Sequence, residues 1–399
     1  MSKLVRVTTI PLSLDKLLTG QLRFMAPYFD VIAVSSDGPE VERIKYREGC
    51  NYHIVPMTRT IAPVKDLFSL REMIKLIKRE KPDIIHSHTP KAGFIAMLAA
   101  YYCKIPVRLH TVAGLPLMEA SGLKKQLLIW VEKLTYKCAT HVYPNSRELK
   151  SYIEQNKFTY SNKLKVLGNG SSNGIDVNYF KRTEAISNEA EQLKNKYGVT
   201  SSDLVFIFIG RIVKDKGINE LVNAFNKLNN KYKTIKLILI GPFEDELDPI
   251  HLNTRNIIKQ NINIITTGFI NDIRPYLAAS HVLTFPSYRE GFPNVPLQAG
   301  CFELPMIVTD INGCNEIVQD GVNGLLIPPK NEPALQSAME KMIEDEAFRK
   351  KCATASRQVI VENYSRETVW NALLKEYEHL LQAKGLSFTH VSKIPETSI

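Results

Sequence analysis

The stretch Ser287-Tyr-Arg-Glu-Gly-Phe-Pro-Asn-Val-Pro-Leu-Gln-Ala-Gly300 decides how the fold of the whole chain is interpreted. The apolar run at 282–286 predicts a buried strand, the Gly-Phe-Pro turn ends the pattern, and an apolar helix is expected from about residue 294 to 301. In an open parallel sheet, a turn from a strand into a helix start faces the ligand. The free N–H groups of the helix start suit a phosphate, and Glu290 stands where a sugar hydroxyl can be bound.

A second strand, turn and helix supply two cations. Residues 204–211 predict a buried strand that ends at Gly210, and a helix is expected at 218–227. Arg211 and Lys216 therefore stand between a strand end and a helix start. A guanidinium can clamp a pair of phosphate oxygens and an ammonium adds a compact charge, so this spacing favours a diphosphate site.

The remaining sequence alternates strands and helices, which predicts an α/β fold with doubly wound parallel sheets. In the first half we expect strands at 5–10, 31–36, 52–55, 82–88, 107–112, 141–146 and 163–170. A loop at 11–20 is expected to lead to a helix that starts at Gln21, and further helices are expected at 67–81, 95–102 and 123–137. In the second half we expect a polar hinge at 183–192, strands at 235–241, 263–270 and 324–329, and helices at 272–279, 332–344 and 347–361.

Length and composition predict two domains. A chain of 399 residues is too long for one hydrophobic core, and we expect domains at 1–180 and 181–363. Residues 385–399 lack periodicity and are expected to form a mobile tail. No apolar run reaches the roughly 18 residues of a membrane-spanning helix. The first residues predict a strand and not a signal peptide, and six cysteines without paired spacing predict the reduced thiols of a cytoplasmic protein.

The positive charge lies entirely in the first half. Residues 1–180 hold 26 Lys and Arg against 15 Asp and Glu, whereas residues 181–399 hold 25 against 26. Such a basic half favours an anionic membrane surface, and the alternative is a solvated basic face without a partner. No nucleic acid is expected, because no segment interleaves aromatic and basic residues as an RNA-binding module does. The helix at 123–137 is basic and amphipathic with Trp130 near its apolar edge, which suits a bilayer surface or docking on its own sheet.

Two histidines end strands of the first half. His88 and His110 close the fourth and fifth strands, at the edge where open α/β sheets place ligands. Taken without further context, His110 is more typical of a core histidine that bonds to backbone, whereas His88 suits either role. Gly20, between the first strand and the helix from Gln21, permits close approach of a ligand to the backbone.

Three motifs in combination resemble glycosyltransferase family 4: Gly210-Arg-x4-Lys-Gly217, Glu290-Gly-Phe292 and Asp320-Gly-Val-Asn-Gly324. The resemblance extends from the first strand to about residue 382. It implies the GT-B architecture, with two doubly wound Rossmann-like domains facing a central cleft. It also implies that the last helix, here 364–384, returns to the acceptor-binding first domain, while the second domain binds the nucleotide sugar.

The resemblance implies a role for each matching position. Arg211 and Lys216 would neutralise the departing diphosphate, and His110 and Glu290 would hold the donor sugar, which makes these four the expected catalytic residues. Donor binding is implied for Gly20, Gln21, Gly210, Phe269, Ile270, Gly291, Phe292, Pro293, Asn294, Val295 and Gln298, and acceptor binding for His88 and Lys91. Asn315 and Glu316, at a helix start beside the cleft, rank below these.

Gln298 departs from the family pattern. The family has a glutamate here that holds the ribose of the nucleotide. Glutamine can still hydrogen-bond a diol, since it carries two donors and one acceptor, but it cannot do so as an anion.

The implied chemistry is a retaining sugar transfer that needs neither metal nor cofactor. The acceptor hydroxyl attacks on the face from which the diphosphate leaves, and a phosphate oxygen of the leaving group serves as base. The sequence contains no Asp-x-Asp flanked by strands, the usual device for a metal-bound diphosphate.

Further motifs narrow the resemblance to bacterial enzymes that build capsule, O-antigen and lipid-linked glycans: His86-Ser-His-Thr-Pro-Lys-Ala-Gly93, His110-Thr-Val-x-Gly-Leu-Pro116 and Tyr288-Arg-Glu-Gly-Phe-Pro-Asn-Val295. Such an enzyme would move a hexose or N-acetylhexosamine from a nucleotide sugar, with UDP expected, to an undecaprenyl-diphosphate-linked glycan. It would be cytoplasmic and peripheral at the inner face of the cell membrane. Two alternatives are a nucleotide-sugar-binding partner subunit without activity and a GT-B nucleotide-sugar epimerase.

Overall fold

The computed structural model describes residues 1–118, 120–246 and 248–388, which form two compact units. The first unit holds Met1–Gly174 and the described residues from Glu367 onward, and the second is Ile175–Arg366. The boundary between the units in the chain therefore lies after Gly174, six residues before the boundary expected at 180. Of the predicted tail, residues 389–399 lie outside the described part of the chain.

The first unit is built on a six-stranded sheet. Its strands are β1 (Lys3–Val7), β2 (Asp30–Ser35), β3 (Asn51–Ile54), β4 (Ile84–His88), β5 (Val107–Val112) and β6 (His141–Pro144). All neighbouring pairs are parallel, in the order β3-β2-β1-β4-β5-β6. The connecting helices are α1 (Pro11–Leu17), α2 (Gln21–Met25), α3 (Val41–Glu48), α4 (Pro63–Glu80), α5 (Pro90–Tyr102), α6 (Gly122–Cys138) and α7 (Arg147–Gln155).

The second unit repeats this topology. After helix α8 (Glu184–Lys196), its strands are β7 (Leu204–Ile209), β8 (Ile235–Ile240), β9 (Ile264–Gly268), β10 (Val282–Phe285), β11 (Met306–Thr309) and β12 (Gly324–Ile327), in the parallel order β12-β11-β10-β7-β8-β9. The other helices are α9 (Ile218–Lys231), α10 (Leu252–Gln260), α11 (Arg274–Ala278), α12 (Asn294–Cys301), α13 (Cys314–Ile317), α14 (Glu332–Glu344) and α15 (Glu346–Tyr364).

The strand order locates a ligand site in each sheet. In both sheets the strand order reverses between the first and fourth strands, which are β1 and β4 in one unit and β7 and β10 in the other. In doubly wound sheets, ligands bind outside the carboxyl ends of the strands at such a switch point. The predicted fold of two doubly wound α/β units is confirmed.

The last helix, α16 (Arg366–Gln382), packs in the first unit from Glu367 onward. Its Leu373, Tyr377 and Leu381 are buried in the cluster that includes Leu4 and Phe29. The chain continues in contact with this unit as far as it is described, because Ser2 Oγ donates to the carbonyl oxygen of Ser387 at 2.7 Å.

Three local predictions are wrong: the loop at 11–20, the strand at 163–170 and the hinge at 183–192. Residues 11–17 form α1 and not a loop, because Pro11 occupies the first helical position, where its missing N–H costs nothing, and Leu14 and Leu18 are fully buried. Residues 163–170 form no strand. Leu164 makes one isolated bridge to Val142, and the positive φ angles of Gly168 and Gly170 then turn the chain.

The predicted hinge at 183–192 is the start of α8. Thr183 caps this helix by accepting a hydrogen bond from the N–H of Ile186. Ile186 and Ala190, four residues apart, bury one face of the helix.

Two expectations drawn from composition concern disulfides and membrane-spanning helices. No disulfide joins any of the six cysteines, all of which lie in described segments. In residues 1–118, 120–246 and 248–388, no helix is long and apolar enough to cross a bilayer.

Candidate active site

The loops after β7 and β10 meet at the switch point of the second sheet. A Cβ at Gly217, which has a φ of +69°, would lie 2.1 Å from the carbonyl oxygen of Pro286, so only glycine fits there. The N–H of Tyr288 donates to the carbonyl oxygen of Asp215 at 2.8 Å. This close backbone contact brings the cation-bearing loop against the loop that carries the Glu-Gly-Phe motif.

Lys216 and Glu290 form an ion pair across these two loops. Lys216 Nζ lies 2.6 Å from Glu290 Oε1 and 3.3 Å from Ser287 Oγ. The side chains are 14% and 16% exposed, so the pair is partly shielded from water and open on one side. A cation and a carboxylate that face the same opening can bind a phosphate and a sugar hydroxyl of one ligand.

Arg211 stands at the same edge and is more exposed. Its guanidinium donates to Glu244 Oε2 at 2.8 Å. This hydrogen bond is the main reason that the pKa of Arg211 is raised above its ordinary value, and the charges of Glu244, Asp215 and Glu290 add to the effect. Arg211 therefore remains a permanent cation within electrostatic reach of Glu290.

A third loop, which follows β11, contacts the backbone of Glu290 and Gly291. Asn312 Nδ2 donates to the carbonyl oxygens of Glu290 at 3.1 Å and Gly291 at 2.7 Å. Gly313, with a φ of +75°, packs so closely that a Cβ would lie 2.4 Å from the Gly291 carbonyl oxygen. The turn after β11 thus fixes the position of the Glu290 backbone.

The turn ahead of α12 presents the residues expected to bind the donor. Pro293 precedes the helix and is buried, Asn294 is exposed, and Gly291, Phe292 and Val295 are half-buried. The first N–H groups of a helix have no partner within the helix, so those of Asn294 and Val295 can meet an anion. Gln298 is half-buried and lies on α12, about one turn after Asn294.

Strands β7 and β9, which lie on either side of β8, bring the other expected donor residues to this edge. Gly210 follows β7, and its carbonyl oxygen approaches Gly241 so closely that a Cβ on Gly241 would lie 1.8 Å away. Phe269 follows β9 and is 74% exposed, whereas Ile270 is half-buried. An exposed aromatic ring beside a free backbone suits the stacking of a base.

In the first unit, a buried polar network lies at the carboxyl ends of β1 and β4. Arg6 is fully buried and donates to Tyr377 Oη at 2.9 Å, Gln21 Oε1 at 2.6 Å and His88 Nε2 at 2.6 Å. Burial lowers the pKa of Arg6. Gln21 in turn donates to Asn173 Oδ1 at 3.0 Å, so its amide is occupied on both sides.

His88 is a buried, neutral histidine in this network. Burial, with the charge of Arg6 second, lowers its pKa well below the ordinary value. Because Arg6 donates to Nε2, the proton must lie on Nδ1. His88 Nδ1, Asn145 Oδ1 and Ser172 Oγ have no hydrogen-bond partner among the described residues. All three residues line a cavity of about 20 Å³, which is large enough for one water.

His110 lies on the other face of the same sheet. Its Nδ1 is 2.9 Å from Ser87 Oγ, and its ring packs against Gly93, where a Cβ would lie 2.3 Å from ring carbon Cε1. Burial lowers the pKa of His110 to about 4. His110 is therefore neutral near pH 7, and it sits under the first turn of α5.

Gly20 and Lys91 both contact other residues of the first unit. The N–H of Gly20 donates to Glu48 Oε1 at 2.8 Å, and the ring of Trp370 covers its α-carbon. Lys91 Nζ forms an ion pair with Asp66 Oδ2, and both side chains are largely buried. Ligand contacts by Gly20, Gln21, His88 and Lys91 stay predictions.

In the described segments, no group of three or more His, Cys, Asp or Glu side chains is arranged to hold a metal ion. Asn315 and Glu316, which ranked lower in the sequence, lie in the short helix α13. Metal independence itself stays a prediction.

Comparison with known proteins identifies the family. Residues 189–359 match the family described as "Glycosyl transferases group 1", and residues 26–170 match the "Glycosyl transferase 4-like domain". The capsular polysaccharide biosynthesis glycosyltransferase CapM of Staphylococcus aureus is 35% identical over 95% of this chain and 98% of its own length. The chain belongs to the group 1, family 4-like glycosyltransferases.

Two further proteins extend the comparison. An Escherichia coli UDP-Gal:α-D-GlcNAc-diphosphoundecaprenol α-1,3-galactosyltransferase is 28% identical over 74% of this glycosyltransferase and 76% of its own length. The crystal structure of Anabaena HepE in complex with UDP matches with a TM-score of 0.78 at 17% identity, covering 94% of this chain and all of that one. The latter likeness shows the fold, as expected for the GT-B type.

Sequence reasoning missed the residues that position the active site of this glycosyltransferase. Arg6 gave no motif signal, although an arginine in the middle of an apolar strand is itself unusual. Asn312 and Gly313 were given no role from the sequence, because their contacts with Glu290 and Gly291 arise only in the folded chain. Glu244 and Tyr377 reach the two networks from loops and helices far along the chain, which only the tertiary fold could reveal.

Proposed function

We propose that this glycosyltransferase moves a hexose or N-acetylhexosamine from a UDP-sugar to an undecaprenyl-diphosphate-linked glycan, with retention of configuration. The observation that carries the proposal is the Lys216–Glu290 pair at the switch point of the second sheet. The pair places an ammonium that can bind phosphate and a carboxylate that can bind a sugar hydroxyl at one opening. The names of the relatives support the choice of pathway, since one acts in capsular polysaccharide biosynthesis and one uses UDP-galactose with a diphosphoundecaprenol acceptor.

The proposed chemistry is electrostatic stabilisation of the leaving group. Arg211, Lys216 and the N–H groups at the start of α12 neutralise charge that develops on the UDP diphosphate as the bond to the sugar breaks. Glu290 and His110 hold the donor sugar. The acceptor hydroxyl forms the new bond on the face that the diphosphate leaves and transfers its proton to a phosphate oxygen, so no protein nucleophile, metal or cofactor takes part.

The proposal places the enzyme at the inner face of the bacterial membrane. The first turns of α4 and α6 expose Val64, Phe68 and Leu123 beside Lys65 and Lys124, a mixture that suits an anionic surface. Each lysine near such a surface adds about 1 kcal/mol. Cosedimentation with phosphatidylglycerol vesicles, but not with phosphatidylcholine vesicles, is the expected outcome.

A ligand panel and a transfer assay test the function. We expect one UDP-sugar, rather than GDP- or dTDP-sugars, to raise the melting temperature, since a ligand at about 100 times its Kd adds about 2.7 kcal/mol of stability. The shift should be unchanged by EDTA. The same donor should transfer labelled sugar to an undecaprenyl-diphosphate-linked acceptor, and product NMR should show that the anomeric configuration is retained.

The alternative is a partner subunit that binds a nucleotide sugar without turnover. Gln298, in place of the family glutamate, is the feature that favours it. Stabilisation by a UDP-sugar without transfer to any lipid-linked acceptor would support this alternative. Conversion of the UDP-sugar to its epimer would instead support the epimerase.

A further inference from the structure

The first unit contains a large groove that the proposed chemistry does not use. It lies between α4 and α6, with α5 as its floor, and has a volume of about 920 Å³. We call it the α4–α6 groove. Its walls are apolar and include Leu67, Leu70, Phe94, Leu98, Leu127 and Trp130.

The groove exists because two helices are packed only along their second halves. Met73 and Ile77 of α4 and Tyr136 of α6 are buried in the core. Nearer the helix starts, Leu67 is 68% and Trp130 is 59% exposed. Contiguous apolar surface of this kind is rare on a monomeric protein and marks a binding site for an apolar ligand.

One end of the groove is polar. Thr9 and Thr89, whose hydroxyl oxygens are 2.7 Å apart, line it just after β1 and β4. The cations Arg59, Lys91 and Lys124, which stand near the starts of α4, α5 and α6, also line the groove. This end therefore coincides with the switch point of the first sheet, where a doubly wound fold places polar ligands.

The acidic groups of the groove leave this positive charge largely intact. Asp66 is paired with Lys91. Glu132 lies on the groove wall, and burial raises its pKa to about 7, so it is partly protonated near neutral pH. Arg59 and Lys124 remain as cations for an anionic ligand.

We propose that the α4–α6 groove binds the isoprenoid chain of a diphosphate-linked lipid acceptor, with the diphosphate at the polar end. Along α5, the seven residue-to-residue steps from Lys91 to Leu98 rise about 10 Å, so one ligand can contact the cations and the apolar walls together. A ligand with a compact anionic head and a single long hydrocarbon chain matches both features. This inference rests on the proposed function, because it assigns a place to the lipid of that acceptor.

A series of acceptors with one sugar-diphosphate head and tails of increasing length tests the groove. In wild-type protein, kcat/KM should rise by roughly tenfold or more from the shortest tail to an isoprenoid tail kept below its micelle concentration, since hydrocarbon burial is favourable in proportion to area. Leu127→Glu, which puts a charge on the groove wall, should reduce this long-to-short ratio towards one. Leu252→Glu is the matched control, the same change at the start of α10 in the second unit, where Leu252 is 75% exposed and not among the groove-lining residues. Its ratio should equal that of wild type.

A binding measurement keeps the test independent of catalysis. Trp130 lines the groove, and Trp370 is the second tryptophan of the chain, so the difference between wild type and Trp130→Phe isolates the Trp130 emission. Farnesyl diphosphate should shift this emission to shorter wavelength in a saturable way, and Leu127→Glu should weaken the apparent affinity about tenfold, the effect of losing favourable chain burial.

The outcomes separate the groove from the proposed function. Absence of transfer to every acceptor, with saturable farnesyl diphosphate binding intact, would overturn the proposed function and leave the groove as a lipid site. A wild-type ratio in Leu127→Glu, or farnesyl diphosphate binding that this variant does not weaken, would overturn the groove. Equal affinity for farnesol or dodecylphosphocholine would show a general lipid site and overturn the diphosphate end.

Discussion

At the scale of single residues, the candidate active site is a set of charges that hold one another in place. Lys216 and Glu290 pair at 2.6 Å, and Arg211 pairs with Glu244 at 2.8 Å. Partly buried pairs of this kind contribute little net stability, because desolvation offsets much of the attraction. On the proposed mechanism, a diphosphate takes the place of Glu290 at Lys216, and the released carboxylate accepts a hydrogen bond from the sugar.

Gln298 yields a prediction at this scale. Gln298→Glu should lower the Kd for UDP by about fivefold, because hydrogen bonds from a ribose diol to a charged acceptor are about 1 kcal/mol stronger than those to a neutral one. Isothermal titration with UDP measures the effect. Gln260→Glu, the same change at an exposed position of α10, should leave the Kd unaltered. An unchanged or raised Kd in Gln298→Glu would remove Gln298 from the ribose site.

At the scale of elements, the sequence predicted what its local pattern encodes. Strand β5 and helices α12 and α14 were predicted with the bounds that the structure has, because apolar runs and periodic faces fix them. Helix α1 was missed because its Pro-Leu-Ser start is typical of a loop, and burial against the first unit decides its conformation. Likewise, Arg211, Lys216 and Glu290 were predicted from motifs, whereas their supports Asn312 and Glu244 depend on contacts between distant segments.

The turn after β11 gives a prediction at the element scale. Gly313→Ala should lower stability by more than the roughly 1–2 kcal/mol of a left-handed alanine, because its Cβ would lie 2.4 Å from the Gly291 carbonyl oxygen. It should also reduce kcat/KM by displacing Glu290. Gly321→Ala is matched in backbone angle, with a φ of +73°, and its Cβ would meet no atom within 4 Å. Thermal melts and transfer assays compare the two, and equal losses would mean that the Gly313 contact does not position the site.

At the scale of the whole molecule, the core of the first unit holds neutral histidines. Burial lowers the pKa of His110 to about 4 and takes those of His86 and His88 well below the ordinary value. His86 bonds Tyr377 and Thr111, and His110 Nδ1 lies 2.9 Å from Ser87 Oγ. The first unit thus depends on uncharged imidazoles in its core.

This arrangement predicts that the protein is sensitive to acid. Between pH 6.5 and about 4, the unfolded chain binds protons at these histidines and the native state does not, so stability should fall as the pH falls. The slope is about 1.4 kcal/mol per pH unit for each such histidine, and above pH 6.5 their contribution is constant. Melting temperatures from pH 8 to 5 measure it. His110→Asn should flatten the profile, whereas substitution of exposed His251 should not; a wild-type profile in His110→Asn would contradict the neutral buried state.

The most direct test of the account compares two lysines on one loop. Lys216 pairs with Glu290 at the switch point, whereas Lys214, two residues earlier, is exposed. The measurement is transfer of labelled sugar from the UDP-sugar to the lipid-linked acceptor by Lys216→Ala and Lys214→Ala. The account predicts that Lys216→Ala lowers kcat by about 10²–10³-fold, the usual effect of removing one group that stabilises developing charge, and that Lys214→Ala retains wild-type activity. Wild-type turnover by Lys216→Ala would contradict the assignment of this site to the departing diphosphate.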